Sequence, residues 1–298
     1  MTEKEKCGYV AILGRPNVGK STLLNELLKR KVSITSPKPQ TTRYQILGIK
    51  TRDSIQTVYI DTPGIHDSGN RAMNRYLNRL ATAVIPDVDV IVFMIEALRW
   101  HNDDDLVLEK LKSAEMNTPV ILAINKIDEL KDKKLLLPLI QQVQQKYAFK
   151  AIIPLSAKRA ENVAMLEHEI MELLPENPHF FPDDQVTDKP EKFQMAEFIR
   201  EKLIQLTEQE VPYSTAVEIE KVEHKEKITE ISAIIWVERQ GQKAIVIGEN
   251  GERLKKIGTL ARKEIERMLN QKVFLRLWVK VKERWTDDDQ VLKNLGYD

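Results

Sequence analysis

Eight residues, Gly14-Arg15-Pro16-Asn17-Val18-Gly19-Lys20-Ser21, have the types and spacing of a phosphate-binding loop, G-x-x-x-x-G-K-[ST]. Glycines let such a loop wrap until its N–H groups converge on a β-phosphate, and a helix starting near Lys20 adds its positive dipole end. Lys20 would neutralise β/γ oxygens, and the Ser21 hydroxyl is a hard oxygen ligand for Mg²⁺. The context is the required one: the apolar run Tyr9-Val10-Ala11-Ile12-Leu13 precedes the loop, and the helical Ser21 to Lys31 follows it.

The base would be chosen by Asn125-Lys126-Ile127-Asp128, directly after a buried strand. A carboxylate at Asp128 accepts from guanine N1–H and N2–H₂. Adenine offers neither donor and would leave a buried acceptor unpaired, so GTP is expected over ATP. Ser156-Ala157-Lys158, after the next strand, supplies a second wall whose backbone N–H reaches guanine O6. Asp61-Thr62-Pro63-Gly64 lies at another strand end, where Asp61 would hold Mg²⁺ through a water and the Gly64 N–H would reach the γ-phosphate. The polar segment Ser33 to Arg43 is placed to close over that phosphate. Thr41 and Thr42 are the candidates for a second hydroxyl on Mg²⁺, and Thr42 is favoured. Both loops would lose contacts when the γ-phosphate departs, which is the physical basis of a switch.

A second chemistry resides near the far end. Gly248-Glu249-Asn250-Gly251 is a Gly-x-x-Gly loop between apolar segments, followed by Arg253, Lys255 and Lys256. Without a Cβ at Gly248 and Gly251, a nucleic-acid backbone could press against the main chain. Ile245, Ile247, Leu254 and Ile257 are expected to form the core beneath. From Arg239 to Arg284 there are 13 Lys/Arg against 5 Asp/Glu, whereas Glu191 to Asp298 holds 20 of each. Cations therefore concentrate around the proposed binding element, as phosphate neutralisation requires. Glu249 runs against this, since its charge opposes phosphate. Trp278 alternates with apolar residues on the last strand and is read as core; Trp285 to Asp289 is read as a solvated end.

The elements that position these residues follow from periodicity. Strands are expected at Tyr9 to Leu13, Tyr44 to Ile49, Ile55 to Ile60, Val90 to Ile95, Val120 to Ile124 and Ala151 to Leu155, the second and third forming a hairpin. Helices lie between them, near Arg71 to Val84, Asp104 to Ser113 and Lys133 to Tyr147. Such alternation predicts a mostly parallel sheet covered on both faces. Pro175, Pro178, Pro182 and Pro190 then stop helices and stiffen the chain, and the stretch reads as an interdomain linker. Beyond it a helix (Lys192 to Glu208), strands at Thr215 to Glu223 and Thr229 to Glu238, the Gly-x-x-Gly loop, a helix and a strand (Val273 to Val281) suggest a smaller α+β domain. The expected division is residues 1–178, a linker at 179–190, and residues 191–298.

The motifs G-x-P-N-V-G-K-S, T-T-R, D-T-P-G, N-K-x-D and S-A-K, in that order, resemble those of Era/TrmE-type GTPases of the translation-factor class. The stretch I-x-G-x-x-G-x-x-[IL]-K-x-I-G resembles a KH domain. The first resemblance implies a Ras-like fold and Mg²⁺-dependent hydrolysis of GTP to GDP, with Lys20, Thr42, Gly64 and Asn17 in catalytic roles. Ile65 stands where a Ras-type glutamine would orient water, so hydrolysis is expected to be slow unaided; His66 reads as a loop residue. In relatives with asparagine at the position of Asn17, K⁺ takes the place of an arginine finger, so K⁺ joins GTP/GDP and Mg²⁺ as an expected ligand. Over the whole chain, about Cys7 to Tyr297, the resemblance implies a bacterial ribosome-assembly GTPase that binds the 3′ end of 16S rRNA and the 30S subunit, with peripheral membrane association by resemblance only. The residues alone support single-stranded RNA.

Composition sets limits. Among 298 residues, 42% hydrophobic and 31% charged is that of a globular chain. There is no run of 18 apolar residues and no apolar leader at Met1 to Lys6, so neither a membrane span nor a signal peptide is expected. One cysteine, Cys7, excludes an internal disulfide and fits a reducing cytoplasm. No stable oligomer is expected. Two readings compete: a GTP-driven switch, and a static RNA-binding assembly protein in which GTP is a structural ligand.

Overall fold

The computed structural model describes residues 4–38, 40–66, 72–97, 99–114, 117–207 and 215–283. It divides into two compact units, residues 1–70 with 74–188 and residues 71–73 with 189–298.

In the first unit, six strands, β1 (Lys6–Leu13), β2 (Ile46–Arg52), β3 (Ile55–Asp61), β4 (Val90–Glu96), β5 (Val120–Asn125) and β6 (Ala151–Pro154), form one sheet in the order β2-β3-β1-β4-β5-β6. Only β2 runs antiparallel, to β3. Alternation along each strand splits the apolar side chains between two layers. Val10, Ile12, Val92, Met94 and Ile121 pack with Leu23, Leu24 and Leu27 of α1 (Lys20–Leu28) and with Leu166 and Ile170 of α5 (Val163–Leu173). Ala11, Leu13, Phe93, Ile95 and Leu122 face the other way. They pack with Ala81 of α2 (Ala72–Ala83), Val107 and Leu111 of α3 (Asn102–Ser113), and Leu139 and Val143 of α4 (Leu136–Gln144). This is the doubly covered Ras-like sheet, and its ligand crevice lies outside the carboxyl ends of the strands.

The proline-rich stretch is extended, but it is not free. Glu176 bridges Lys6, Thr187 bridges Gly48, and the Ile49 N–H donates to the Val186 carbonyl (2.8 Å). The buried Gln56 side chain takes the Phe180 and Phe181 N–H groups on its carbonyl (2.9 and 3.0 Å) and donates to the Phe181 carbonyl (2.8 Å). Phe180 stacks on Tyr9, with centroids 5.3 Å apart. Composition predicts extension and stiffness; it does not reveal that a buried glutamine and a sheet edge tie the segment down.

The second unit contains α6 (Glu191–Leu206), β7 (Thr215–His224), β8 (Ile228–Val237), α7 (Gln240–Ile247), α8 (Glu252–Leu269) and β9 (Lys272–Val281). Its sheet runs β7-β8-β9, with β9 parallel to β8 and at the edge. Two expectations are corrected here. The apolar segment before the Gly-x-x-Gly loop is helix α7, and Ile245 is 40% exposed; Val246, Ile257, Ala261 and Ile265 are the fully buried residues. Ile247 and Leu254 are only partly buried. A helix sends one residue of an apolar triplet inward, whereas a strand would have sent two. Trp278 is not core: alternation along β9 turns Val273 and Val279 in, and Phe274 and Trp278 out, the latter 42% exposed. The stretch from Trp285 to Asp289 lies outside the described residues.

Candidate functional site

Four of the six strands deliver a loop to the same crevice. At the end of β1, Gly14, Asn17 and Gly19 take positive φ (150°, 66° and 103°), so the chain wraps tightly before α1. A Cβ at Gly14 would lie 2.5 Å from the Met94 carbonyl oxygen, and one at Gly19 would lie 2.3 Å from Asn125 Nδ2. These two glycines are required by close approach as well as by conformation. Lys20 is buried, and its Nζ donates to the carbonyls of Gly14 (2.9 Å) and Arg15 (3.0 Å) inside the loop. Burial pulls its pKa down to about 8, opposed by the nearby Asp61 carboxylate.

Ser21, Thr42 and Asp61 converge, although they lie far apart in sequence. The Ser21 hydroxyl donates to Asp61 Oδ2 (2.7 Å) and sits 2.8 Å from Thr42 Oγ1. Asp61 is fully buried, burial pushes its carboxyl up, and its Oδ1 has no hydrogen-bond partner among the described residues. Two hydroxyls around a buried carboxylate with one unpartnered oxygen form an all-oxygen donor set, the kind that suits Mg²⁺. The Thr41 hydroxyl instead donates to the Lys38 carbonyl (2.7 Å). Ser33, which the sequence does not single out, donates to the same Asp61 Oδ2 (2.8 Å); a serine in a polar loop carries no signal of this.

Beyond Asp61, the buried Thr62 hydroxyl is spent on the Ile12 carbonyl (2.9 Å), which anchors the turn. Pro63 is buried, and Gly64 packs on Pro16, so a Cβ there would meet Pro16 N at 2.5 Å. Ile65 is 3% exposed, within the core, and its N–H donates to the Gly14 carbonyl (3.2 Å). His66 Nδ1 lies 3.0 Å from the Gly64 carbonyl oxygen.

The guanine-side loops are joined by one residue. Asn125 Nδ2 donates to the Val18 carbonyl (2.7 Å) and Asn125 Oδ1 accepts from the Ala157 N–H (2.9 Å), tying three loops together. The Ser156 hydroxyl donates to Asp128 Oδ1 (2.6 Å), which with Arg159 nearby holds that carboxyl below its usual range. Lys158 is exposed at the rim. Lys126, in the left-handed region (φ 67°), pairs with Glu96, which also binds Arg15 Nη2 at 2.5 Å. Burial pushes Glu96 up, but Lys126 and Arg15 together hold it below the ordinary range. Arg15 Nε also faces the buried Asp104 at 3.4 Å. The Arg15 side chain therefore points toward this ionic cluster. Glu96 was missed by the sequence reading, although an acid ending the apolar run of β4 is a legible signal.

In the second unit, Gly248, Asn250 and Gly251 all have positive φ (74°, 47° and 80°). A Cβ at Gly251 would meet nothing within 4 Å, so that side of the turn is open. A groove of about 450 Å³ runs from it between α8 and the edge strand β9, lined by Lys255, Gly258, Arg262, Phe274 and Leu277 among others. A Cβ at Gly258 would approach Leu277 Cδ1 to 3.3 Å, so glycine there lets the helix lie close to the strand. Lys255 lines the groove; Lys256, Glu249 and Asn250 are exposed outside its lining. Arg253 turns back and donates to the Ile245 carbonyl at the end of α7.

A phosphate loop, a guanine-side carboxylate and an Mg²⁺-type oxygen set on a Ras-like sheet, followed by a Gly-x-x-Gly groove, define a P-loop GTPase with an attached KH unit. Residues 9–126 match the family described as 50S ribosome-binding GTPase, and residues 210–286 match the KH domain. GTPase Era of Coxiella burnetii (strain Dugway 5J108-111) is 55% identical over 292 residues, 98% of each chain. GTPase Era of Marinobacter nauticus is 53% identical over 98% of this chain and 95% of its own. Two solved structures each match with a TM-score of 0.94 at 41% identity, covering 98% of this chain and 99% of theirs. One is Era in complex with MgGDPNP and nucleotides 1506–1542 of 16S ribosomal RNA; the other is an Aquifex aeolicus Era variant bound to GDP·AlF4⁻. The chain belongs to the Era family of GTPases and hydrolyses GTP.

Proposed function

We propose that this chain is a GTP-controlled RNA-binding switch in assembly of the small ribosomal subunit, binding single-stranded RNA at the 3′ end of 16S rRNA from the cytoplasm. The observation that carries the reading is the convergence of Ser21, Thr42 and Asp61, which joins the phosphate loop to both loops expected to respond to the γ-phosphate. Ser21 and Thr42 would hold Mg²⁺ directly and Asp61 through water; when bound, the ion neutralises charge on the β/γ oxygens. Lys20, drawn away from its carbonyl partners, binds the same oxygens. The Gly64 N–H, in a turn that packs on Pro16, would meet the γ-phosphate. Ile65 offers attacking water no polar group, so hydrolysis is slow until an activator engages. Asn17 at the loop apex is the candidate K⁺ ligand: replacing K⁺ with Na⁺ then slows hydrolysis, and equal rates in both salts count against it.

RNA specificity belongs to the groove lined by Gly251 and Lys255, with Gly248, Lys256 and Arg253 beside it, and the RNA phosphates lie against the open side of Gly251. The test is single-turnover GTP hydrolysis with and without a short RNA from the 3′ end of small-subunit rRNA, with ATP as control. The switch requires RNA to change the rate or the GTP affinity, because coupling between two sites is reciprocal. An RNA that binds and leaves both unmoved would favour a static assembly protein with GTP as a structural ligand.

A further inference from the structure

Among the described residues, the sheet of the second unit has one face packed under helices and one face open. Along β9 the outward residues are Phe274, Arg276, Trp278 and Lys280, an alternation of aromatic and basic side chains on a single edge strand. Phe274 is 48% and Trp278 42% exposed, both among the exposed large apolar side chains of the described residues. The neighbouring strand adds the half-buried Trp236, in register with Lys280, while Ile234, in register with Trp278, is buried beneath these side chains. The Arg276 guanidinium lies 4.9 Å from the Phe274 ring centroid, and the amines of Lys280 and Lys282 lie 5.8 and 5.9 Å from that of Trp236. The Trp236 indole N–H is already bonded to Glu218 (2.8 Å), so its polar edge is satisfied.

We propose that this open face is a second subsite for single-stranded RNA, on which bases stack while Arg276, Lys280 and Lys282 meet the backbone. The proposal rests on RNA being the partner of the neighbouring groove. Continuity identifies the occupant: Phe274 lines the α8–β9 groove and is also the first ring of the platform, so a strand leaving the groove crosses β9 directly onto Trp278. Rings on a sheet, interleaved with cations, bind bases of any sequence because every base has a π-face. An anionic lipid surface fits less well. Glu218 and Glu230 share the face, and Glu230 already pairs with Arg276 at 3.3 Å. A broad negative plane would have to desolvate these carboxylates, whereas an RNA strand can thread between them.

The experiment compares two single-stranded RNAs on the full-length chain by fluorescence anisotropy, one of about five nucleotides that fills the groove and one of about twelve. Trp278→Ala is expected to weaken the long RNA by about tenfold, the equivalent of about 1.4 kcal/mol and the range of one stacked base. It should leave the short RNA unchanged, and Trp278→Phe should restore the loss. In the wild type, tryptophan emission should be quenched more by the long RNA than by the short one. Equal weakening of both RNAs, or no weakening of either, overturns the proposal. So does binding to anionic vesicles that Trp278→Ala abolishes while long-RNA affinity stays intact. Failure of the wild type to bind either RNA would instead overturn the RNA reading of the groove.

Discussion

Replacing Asn125 by alanine tests whether the nucleotide site is organised by a buried amide or by its loops separately. The side chain donates to the Val18 carbonyl at 2.7 Å and accepts from the Ala157 N–H at 2.9 Å, and Val18 and Ala157 are 0% and 2% exposed. Asn125→Ala leaves both backbone groups buried without these partners, at roughly 1–3 kcal/mol each. Partial relaxation reduces the sum to about 2–4 kcal/mol. Only part appears as lowered global stability, because the three loops lie at the carboxyl ends of the strands and can open locally without unfolding the sheet. The rest, about half or 1–2 kcal/mol, appears as the cost of reassembling the loops around a ligand, so affinity for GDP and GTP falls together, by about 5- to 30-fold at 1.4 kcal/mol per decade. Discrimination against ATP survives, since Asp128 and its Ser156 bond are untouched. Titration with fluorescent GDP, GTP and ATP, alongside thermal unfolding, separates these effects. A folded variant that binds GDP and GTP within threefold of wild type would refute the reasoning, and so would selective loss of GTP alone.

Thr42→Ala should raise the Mg²⁺ concentration needed for GTP hydrolysis at least tenfold with little effect on GDP binding, whereas Thr41→Ala, whose hydroxyl serves the Lys38 carbonyl, should not; Mg²⁺ titration of single-turnover rates decides between them. Gly64→Ala places a Cβ 2.5 Å from Pro16 N and 2.7 Å from Pro16 Cα, backbone atoms that cannot swing aside. It should therefore lower the single-turnover rate at least tenfold while GDP affinity holds, and an unchanged rate would remove Gly64 from the mechanism. Asp104 is pushed up by burial to about 6 against 3.8 in the open chain, with Arg15 and the His101 N–H bond opposing. The folded state thus holds a proton that the unfolded state releases, and stability rises as pH falls from 6 toward 4, by up to about 1.4 kcal/mol per pH unit. Urea titrations at pH 7, 6 and 5 should show that component absent in Asp104→Asn; an identical slope in both proteins would contradict it.

Much of the site was legible because it consists of short motifs placed at strand ends, where strand–loop–helix alternation fixes both position and neighbours. Gly14 to Ser21, Asp61 to Gly64 and Asn125 to Asp128 each sit in one local element, and the parallel sheet brings their loops to one crevice. Misreadings arose where local pattern has two solutions. Ile245 and Ile247 were both expected in the core, but the segment is helical and turns Val246 alone inside. Trp278 alternates with apolar residues, but alternation shows only that two faces differ. Which face the helices cover is a tertiary fact, and they cover the side of Val273 and Val279.

The amino-acid sequence by itself determined which chemistry to expect: phosphate wrapping from glycines, a guanine-side carboxylate, hydroxyls for Mg²⁺, and a glycine loop within a basic stretch. These depend on residue type at short spacing, where covalent geometry does the positioning. Tertiary structure alone decided the rest. It brought Ser33 to Asp61 and Glu96 to both Arg15 and Lys126, and tied the proline-rich stretch to Gln56. Each of these pairs is separated by many residues, and no local preference encodes a contact that only the closed sheet and its packed helices create.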